Sequence, residues 1–448
     1  MRRLLPTFAL AATAVALAAA PAAARTGLSQ AHGFAPHQLV VKFDGDRDGQ
    51  KLRLPAGVSV RESATALRRN PSVEYAEPNY VATASAGSST FVVPDDSGTL
   101  GGAAEAAAAI GGWAFKQWNF LAPEGLTSGR LPISPGGIDA VDAWRHLEEV
   151  GRPGAEGITV AVLDTGIAYR ALGSTFLRSP DFGAGQFVNG YDFVGRDRVP
   201  LDENGHGTHV AGTIAEKTGN GVALTGLAYR ARLMPVRVLD KYGRGDATTI
   251  AKGIRFAVAH HARVINMSFN FGCGKKVPVV DEALREAYAR GVVAVASAGN
   301  IGSETCVSEP ATGPRVIAVG GSTEGGCLGD YSLAGTAVDL LAPGGGSPAA
   351  GCPSISARPI YQVTLKPGST SEFAIPSNYV GTSMAAAHVS GTAALVLASG
   401  VLGHQPTPKA RVTAVVRRLR TTARSLGLPS TQQGAGLVNA AAATDPSL

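Results

Sequence analysis

The chain has 448 residues, of which 45% are apolar and 17% charged, with a formal net charge of +6. This composition excludes an intrinsically disordered chain, and the length allows a large folded domain with further segments. The densest basic run, at 417–424, is typical of the solvated face of an amphipathic helix. Because no nucleic-acid-binding motif accompanies it, we expect no nucleic-acid partner.

The first residues have the pattern of a signal peptide. Met1–Arg3 is basic, residues 4–20 are apolar, and Ala22–Ala24 supplies the small residues that signal peptidase requires. A membrane anchor is the alternative, but the proline and the many alanines of this segment disfavour it. The later apolar stretch at 385–402 contains a histidine and serines, which favours a buried helix over a membrane span. The sequence therefore predicts a signal peptide at 1–24 and a secreted, extracellular product.

A small α+β module is predicted next. An alternating strand at 38–43, a helix at 60–70 and a second strand at 73–80 are assigned to a segment at 25–83. The following Gly/Ala/Ser-rich composition predicts a flexible, easily cleaved linker, which we place at 84–117.

The remainder, 118–448, alternates apolar strands with helices. Strands are predicted at 158–163, 233–239, 264–269, 292–296, 316–319 and 338–341. Helices are predicted at 206–216, 248–261, 280–290 and 383–399. This alternation predicts an α/β domain in which a mostly parallel sheet is covered by helices on both faces. Functional side chains are expected at the carboxyl ends of its strands.

Four cysteines are present: Cys273, Cys306, Cys327 and Cys352. In an exported protein an even number predicts two disulfides, although three connectivities are open. We prefer the sequential pairing, Cys273–Cys306 and Cys327–Cys352. Because no CxxC spacing occurs, neither zinc binding nor redox catalysis is expected.

Asp164 and His206 are candidates for an acid–base pair. Asp164 ends a predicted buried strand, where it could orient an imidazole, although an Asp before Thr-Gly is also a common turn former. His206 opens a predicted helix, and its alternative role is helix capping. A metal pair with His209 is disfavoured, because neither an acidic residue nor a third histidine stands nearby in the motif.

Ser383 and Asn300 complete this set. Ser383 lies between a Gly-Thr turn and an apolar helix, at the positive end of the helix dipole. There it is either an ordinary cap or a nucleophile beside free backbone N–H groups. Asn300 follows a predicted strand, as a turn residue or as a donor to an oxyanion. A serine nucleophile needs a base and an orienting carboxylate, and the chain offers one of each.

Together these motifs resemble the subtilisin-like serine proteases (subtilases). They are Asp164-Thr-Gly, His206-Gly-Thr-His-Val-Ala-Gly, Ala298-Gly-Asn300, Gly381-Thr-Ser383-Met-Ala-Ala and Gly434-Ala-Gly-Leu-Val-Asn-Ala, in the family's order. The resemblance runs from about residue 118 to the chain end, and implies a subtilisin-like peptidase domain at 118–448 with a three-layer fold.

The resemblance implies a secreted, monomeric serine endopeptidase. By it, Ser383 attacks the scissile carbonyl, His206 is the general base and then acid, Asp164 orients the imidazole, and Asn300 donates to the oxyanion. The alternative is a catalytically silent binding protein of the same fold. An α/β-hydrolase esterase would instead need Gly-x-Ser-x-Gly and the order Ser, Asp, His.

The resemblance also assigns the substrate-binding edges. They comprise Gly243, Arg244, Gly245, Ser268, Phe269, Asn270, Ser297, Ala298 and Gly299. A substrate would add to them as a strand. The family's two glycines at the second edge are Asn270 and Phe271 here, so specificity is not carried over. Arg244 either favours an acidic substrate side chain or faces solvent, and Ala387 stands where proline is common.

Two further features follow from the family. The module at 25–83 resembles an inhibitory propeptide, which predicts a zymogen that cleaves itself between Tyr80 and Trp118. A structural Ca²⁺ is possible at Asp181, Asn220, Val222 and Leu224, where hard oxygen ligands match the family's places loosely. An unoccupied loop is the alternative, and no organic cofactor is expected.

Overall fold

The structure is a computed structural model that describes residues 34–84, 113–124, 131–183, 185–218, 224–301 and 306–448. The predicted signal peptide and nearly all of the predicted linker, residues 85–112, lie outside the described residues.

An antiparallel module precedes the main domain. Its elements are β1 (Phe34–Phe43), β2 (Gln50–Arg53), α1 (Val60–Leu67) and β3 (Val73–Ala84). The strand order is β2-β1-β3, with α1 packed on a small core of its own. The two predicted strands and the helix are present. Strand β2 was not predicted, because all four of its residues are exposed and show no apolar alternation.

The main domain contains the remaining elements. Its helices are α2 (Trp113–Lys116), α3 (Ala140–Glu149), α4 (His206–Ala215), α5 (Ala247–Ala259), α6 (Pro278–Ala289), α7 (Thr382–Ser399), α8 (Pro408–Thr421), α9 (Ser430–Gln433) and α10 (Ala440–Thr444). Its strands are β4 (Thr159–Asp164), β5 (Tyr191–Asp192), β6 (Arg232–Arg237), β7 (Arg244–Asp246), β8 (Val264–Met267), β9 (Phe269–Asn270), β10 (Val293–Ser297), β11 (Val316–Ser322), β12 (Leu340–Pro343), β13 (Thr364–Leu365) and β14 (Phe373–Ala374).

Seven of these strands form one parallel sheet in the order β12-β11-β10-β8-β4-β6-β5. Side chains alternate between its two faces, as along β4, where Val160 and Val162 enter one core and Ala161 and Leu163 the other. The first core contains α3, α4, α7, α8 and α10; the second contains α5 and α6. The predicted three-layer α/β fold is confirmed.

Helix α7 is the central helix of the domain. Fifteen consecutive residues, Thr382–Val396, are buried, because the helix packs against several sheet strands and against α4. The predicted buried helix is confirmed, and a helix apolar all round needs such a position. Among the described residues, no helix is both long enough and apolar enough to cross a bilayer.

The basic run at 417–424 only partly faces solvent. Arg418 donates hydrogen bonds to the carbonyl oxygens of Ala443 (3.0 Å) and Ala442 (3.1 Å), and Arg420 pairs with Asp339 at 3.1 Å. Arg417 and Arg420 are exposed, as on a solvated face, whereas Arg418 is half-buried. Arg418 and Arg420 attach α8 to α10 and to the loop before β12.

Candidate active site

Asp164 lies at the carboxyl end of β4, in the middle of the sheet. It is fully buried, and its Oδ1 accepts the amide N–H of Thr165 at 2.7 Å. The same oxygen lies 2.8 Å from Nδ1 of His206. A carboxylate can only accept, so Nδ1 carries the proton and Nε2 is left as the basic nitrogen.

His206 is the first residue of α4 and is also buried. Burial by itself lowers the pKa of His206, but the charge and hydrogen bond of Asp164, together with the charge of Asp202, raise it above its ordinary value. Nε2 has no hydrogen-bond partner among the described residues. A buried imidazole with one nitrogen held by a carboxylate and the other basic is the arrangement of a general base.

Asp202 organises the segment that carries His206, and the sequence reasoning missed it. Its Oδ1 accepts the hydroxyl of Thr165 (2.9 Å) and the amides of Asn204 (2.9 Å) and Gly205 (3.0 Å). Its Oδ2 accepts the amide (3.0 Å) and the hydroxyl (2.6 Å) of Thr208 in the first turn of α4. The Asp-Glu-Asn-Gly run before His206 is the available signal, because Asp and Asn side chains commonly bond the backbone a few residues on.

The second histidine of the motif has a structural position. Nε2 of His209 bonds the carbonyl oxygen of Ile360 at 3.0 Å, and its ring stacks on Tyr379 with 3.9 Å between centroids. Burial lowers the pKa of His209 to about 3, so the ring is neutral at pH 7. The ring of His209 is therefore held by Ile360 and Tyr379.

Ser383 is the second residue of α7 and is buried. The N-cap of the helix is Gly381, which has no side chain to cap it, so Ser383 is not the capping residue. Its hydroxyl donates to the carbonyl oxygen of Ser268 at 3.1 Å. In this conformation the hydroxyl therefore points at β8–β9, and catalytic hydrogen bonds in unliganded sites often close only with substrate.

A buried polar chain holds the backbone of Ser383 and was also missed. The hydroxyl of Ser268 donates to the carbonyl oxygen of Ser383 at 2.8 Å and accepts from the amide of Asn266 at 2.9 Å. Ser390, two turns along α7, donates to the amide oxygen of Asn266 at 2.9 Å. The sequence signal for this chain was Asn266 within a predicted buried strand, because a buried amide side chain requires hydrogen-bond partners.

Asn300 follows β10 and faces the start of α7. Its Oδ1 accepts the amide (2.9 Å) and the hydroxyl (2.8 Å) of Thr382, and that hydroxyl accepts the amide of Gly299 at 3.1 Å. Because the oxygen is bound to Thr382, the NH₂ group is the end of the amide that can donate toward an oxyanion. The backbone N–H of Ser383 lies in the same helix turn.

The two predicted substrate edges lie on either side of a strand from the same chain. Strand β3 pairs antiparallel with β7, with Val81 opposite Asp246 and Thr83 opposite Arg244. It also pairs with β9, where Ala84 is opposite Phe269. The end of the N-terminal module therefore occupies the place where an extended peptide could add.

Small residues shape these edges. Gly243 has a φ of 72° in the turn before β7, and a Cβ at Gly245 would lie 2.4 Å from the carbonyl oxygen of Val238. Ser297 is the last residue of β10, and Gly299 has a φ of 116°. Between them, the amide of Ala298 donates to the carbonyl oxygen of Val319 in β11, and its carbonyl oxygen accepts the amide of Ser308. A side chain at Gly245 would therefore push the backbone of Val238 away, and one at Gly299 would displace the side chain of Leu333.

The departures at Asn270 and Phe271 differ in their effect. Phe271 is buried and packs in the core beside α6, with its ring 6.5 Å from that of Phe269. Its side chain is thus part of the core rather than an exposed wall. Asn270 is half-buried, and its Oδ1 accepts the amide of Gly272 at 3.2 Å.

Both disulfides have the preferred sequential pairing, Cys273–Cys306 and Cys327–Cys352. The prediction is confirmed. The first joins the segment after β9 to the segment before Ser308, with Cys273 and Ser308 also forming a β-bridge.

The predicted calcium ligands are only partly described. Asp181 is buried, and its Oδ2 accepts the amide of Leu224 at 3.2 Å. Asn220 and Val222 lie outside the described residues. Burial and the charge of Asp181 raise the pKa of the nearby Glu216 well above its ordinary value. Within the described ranges, no group of three or more His, Cys, Asp or Glu side chains is placed to hold a metal ion.

Comparison with known proteins agrees with this architecture. The model of the subtilase family (Peptidase_S8) matches residues 155–436, more than half of the chain. A thermophilic serine proteinase of Bacillus sp. strain AK1 is 34% identical over 357 residues, covering 80% of this chain and 71% of the relative.

Two further proteins are similar. An extracellular protease of Xanthomonas campestris pv. campestris is 36% identical over 358 residues, covering 73% of this chain and 55% of the relative. A solved protease structure from Pseudoalteromonas arctica PAMC 21717 superposes with a TM-score of 0.57 at 31% identity, covering 69% of this chain and 94% of that chain. The chain belongs to the subtilase family and is a serine endopeptidase.

Proposed function

We propose that the protein is a secreted endopeptidase, made as a self-processed zymogen, that hydrolyses peptide bonds through an acyl-enzyme on Ser383. The observation that carries the proposal is the buried pair of His206 and Asp164, 2.8 Å apart, at the sheet edge that also carries α7. Peptide substrates follow from the family.

In the first half of the reaction, the hydroxyl of Ser383 turns from the carbonyl of Ser268 to Nε2 of His206. His206 takes the hydroxyl proton as the oxygen attacks the scissile carbonyl carbon. The resulting oxyanion accepts hydrogen bonds from the N–H of Ser383 and the NH₂ of Asn300. The C–N bond then breaks, and His206 gives its proton to the leaving amine.

In the second half, water replaces the amine. His206 takes a proton from the water, whose oxygen attacks the ester carbonyl of the acyl-enzyme. The C–O bond to Ser383 breaks, and Oγ takes back the proton. Asp164 stays ionised throughout and stabilises the imidazolium form of His206.

The N-terminal module would act as an inhibitory propeptide, because β3 occupies both substrate edges. Further contacts hold the module on the enzyme: Lys51 pairs with Asp246 at 2.5 Å, and Asp48 with Arg255 at 2.9 Å. Glu77, from the module, is buried, and burial raises its pKa to about 9. Because Ala84 pairs with Phe269, next to Ser268, self-cleavage after Ala84 fits the predicted interval between Tyr80 and Trp118.

Secretion is supported by the N-terminal sequence pattern and by the two disulfides, which persist in oxidising compartments. The similar Xanthomonas campestris protein is named an extracellular protease. A monomer is the simplest assembly, since β3 completes the cleft from the same chain.

A structural Ca²⁺ would be held by Asp181 and by oxygen atoms of the loop after α4. The buried carboxylate of Asp181 fits a hard cation, and Glu216 brings a second carboxyl group close by. A chelator should then lower the melting temperature of the Ser383→Ala protein, and added Ca²⁺ should restore it. An unchanged melting temperature would favour an unoccupied loop.

The test of the zymogen uses a Ser383→Ala precursor. It should stay full length after signal removal, whereas the wild type should lose residues up to the cleavage site and then cleave peptides. Maturation of Ser383→Ala in the absence of other proteases would refute self-processing. Absence of peptide cleavage by matured wild type would favour the silent binding protein.

A further inference from the structure

A cavity of about 760 Å³ lies beside the substrate edge, between the segment around β5 and one face of α5. None of the proposed catalytic residues lines it. Its α5 wall is made by Thr249, Lys252 and Phe256, whose spacing places them along a single face of the helix, and by His260, the residue after the helix.

The floor of the cavity is aromatic. The rings of Tyr191 and Phe193 are 4.7 Å apart, and each lies 5.8 Å from the ring of Phe256. Phe256 also stacks on His260 at 3.9 Å. The three rings are only half-buried, so that ring surface faces the cavity. Such surface binds apolar or aromatic side chains.

The rim of the cavity is cationic. Arg196 and Arg198, in the turn after β5, and Lys252, on α5, are exposed and line the cavity. No carboxylate of the described residues forms an ion pair with any of these three. Within the described part of the chain, the cavity lining contains no Asp or Glu.

Three carboxylates lie near the rim. Asp197, between Arg196 and Arg198, is exposed and accepts the amide of Val199 at 2.7 Å. Asp192 pairs with Arg237 at 3.2 Å. Asp246 accepts the amide of Thr249 at 2.9 Å as the N-cap of α5, and in the precursor it also pairs with Lys51. With Arg196, Arg198 and Lys252 on the rim, the net charge around the aromatic floor is therefore positive.

The position of the cavity connects it to the cleft. Asp246 ends β7 and pairs with Val81, three residues upstream of Ala84 in β3. A substrate that replaces β3 would leave the cleft at Asp246, beside Thr249 in the cavity wall. Lys51 of the N-terminal module lines the same cavity, so removal of the module opens it.

We propose that this cavity is a second binding site for protein substrates, which takes an acidic segment with an aromatic side chain upstream of the scissile bond. Carboxylates of that segment pair with Arg196, Arg198 and Lys252, and its aromatic ring packs on Phe256 and its neighbours. This inference rests on the proposed function, because it concerns the substrates of the same cleft. A polyanion without aromatic groups would make no contact with the rings of the cavity floor, so an acidic peptide with an aromatic side chain fits the cavity better.

The test uses matured enzyme and three fluorogenic peptides that share one cleaved segment. One is short, one carries an upstream Asp/Glu/Phe extension, and one carries an uncharged Gly/Ser extension of equal length. At low salt, kcat/KM for the acidic peptide should exceed that for the uncharged one about tenfold, as expected for several exposed ion pairs acting together. The advantage should fall toward one at high salt.

Two charge-reversed variants on different elements locate the effect. Arg196→Glu/Arg198→Glu and, separately, Lys252→Glu should remove the preference for the acidic extension and leave the short peptide unaffected. Arg417→Glu, exposed on α8, is the matched control and should keep the preference. No preference in the wild type, or an equal loss on all three peptides, would overturn the proposal.

A binding measurement separates this proposal from the proposed function. If wild type cleaves none of the peptides, the proposed function fails. The Ser383→Ala protein, freed of its module by an added protease, should still bind the labelled acidic extension in fluorescence anisotropy. Tighter binding of a sulfated polysaccharide than of that peptide would make a polyanion the ligand and overturn the assignment.

Discussion

Replacing Asp202 by Asn should impair both the stability of the site and the basicity of His206. An Asn keeps Oδ1, which accepts from Thr165, Asn204 and Gly205, but places an NH₂ where Oδ2 accepts the amide and hydroxyl of Thr208. The variant therefore loses two hydrogen bonds to a buried charged group. It also removes one of the charges that raise the pKa of His206.

The expected magnitude follows from these contacts. Hydrogen bonds to a charged group contribute about 1.5–3 kcal/mol each, so losing two should lower the free energy of unfolding by about 3–6 kcal/mol. In a domain of more than 300 residues 1 kcal/mol corresponds to about 1.5 °C, so the melting temperature should fall by roughly 4–9 °C. Calorimetry in a Ser383→Ala background avoids self-digestion.

The kinetic consequence has a definite sign. Because Asp202 raises the pKa of His206, its removal lowers that pKa, and the acid limb of the kcat/KM profile should move to lower pH. Asp330→Asn, an exposed carboxylate, is the control and should change neither quantity. An unchanged melting temperature, or an acid limb that moves to higher pH, would refute this account of Asp202.

Three further outcomes are expected. Asn300→Ala should lower kcat about a hundred- to a thousand-fold with little change in KM, the usual cost of one oxyanion donor, as steady-state kinetics would measure; a large rise in KM alone would contradict the role. Thr382→Val removes a hydroxyl 2.8 Å from Asn300 Oδ1 and should lower kcat about tenfold, whereas Thr382→Ser should retain the hydrogen bond and most of the activity. Replacing Cys273 and Cys306 together by Ser removes a crosslink between residues 33 positions apart. The free energy of unfolding, measured by denaturant titration, should fall by about 3 kcal/mol. No change would show that this disulfide does not stabilise the fold.

The sequence predicted those parts of the fold and of the site that have a regular local pattern of residues. The parallel sheet was predictable because its strands are fully buried and therefore continuously apolar, as in β8 and β10. Asp164 ends a buried strand, and His206 and Ser383 lie at the starts of helices. In a parallel α/β fold these positions lie at the same edge of the sheet. The sequential cysteine pairing was preferred on sequence and is present.

Other features depend on tertiary contacts that no local pattern encodes. Strand β7 is three residues long and exists as a strand because β3 pairs with it across 163 positions of the chain, from Ala82 to Gly245. The hydrogen bond from Thr165 to Asp202 and the one from Ser390 to Asn266 join segments that are distant in sequence. The cavity beside α5 likewise requires β5 and α5 together, and β5 has only two residues.

The most direct test of the central claim is covalent labelling of the matured enzyme with a fluorophosphonate, followed by peptide mapping. We expect one adduct, on Oγ of Ser383, because only that hydroxyl is proposed to have His206 as its base. His206→Ala should abolish the label while the folded protein persists. A folded wild-type protein with no adduct, or with the adduct on another serine, would contradict the assignment of Ser383 as the nucleophile.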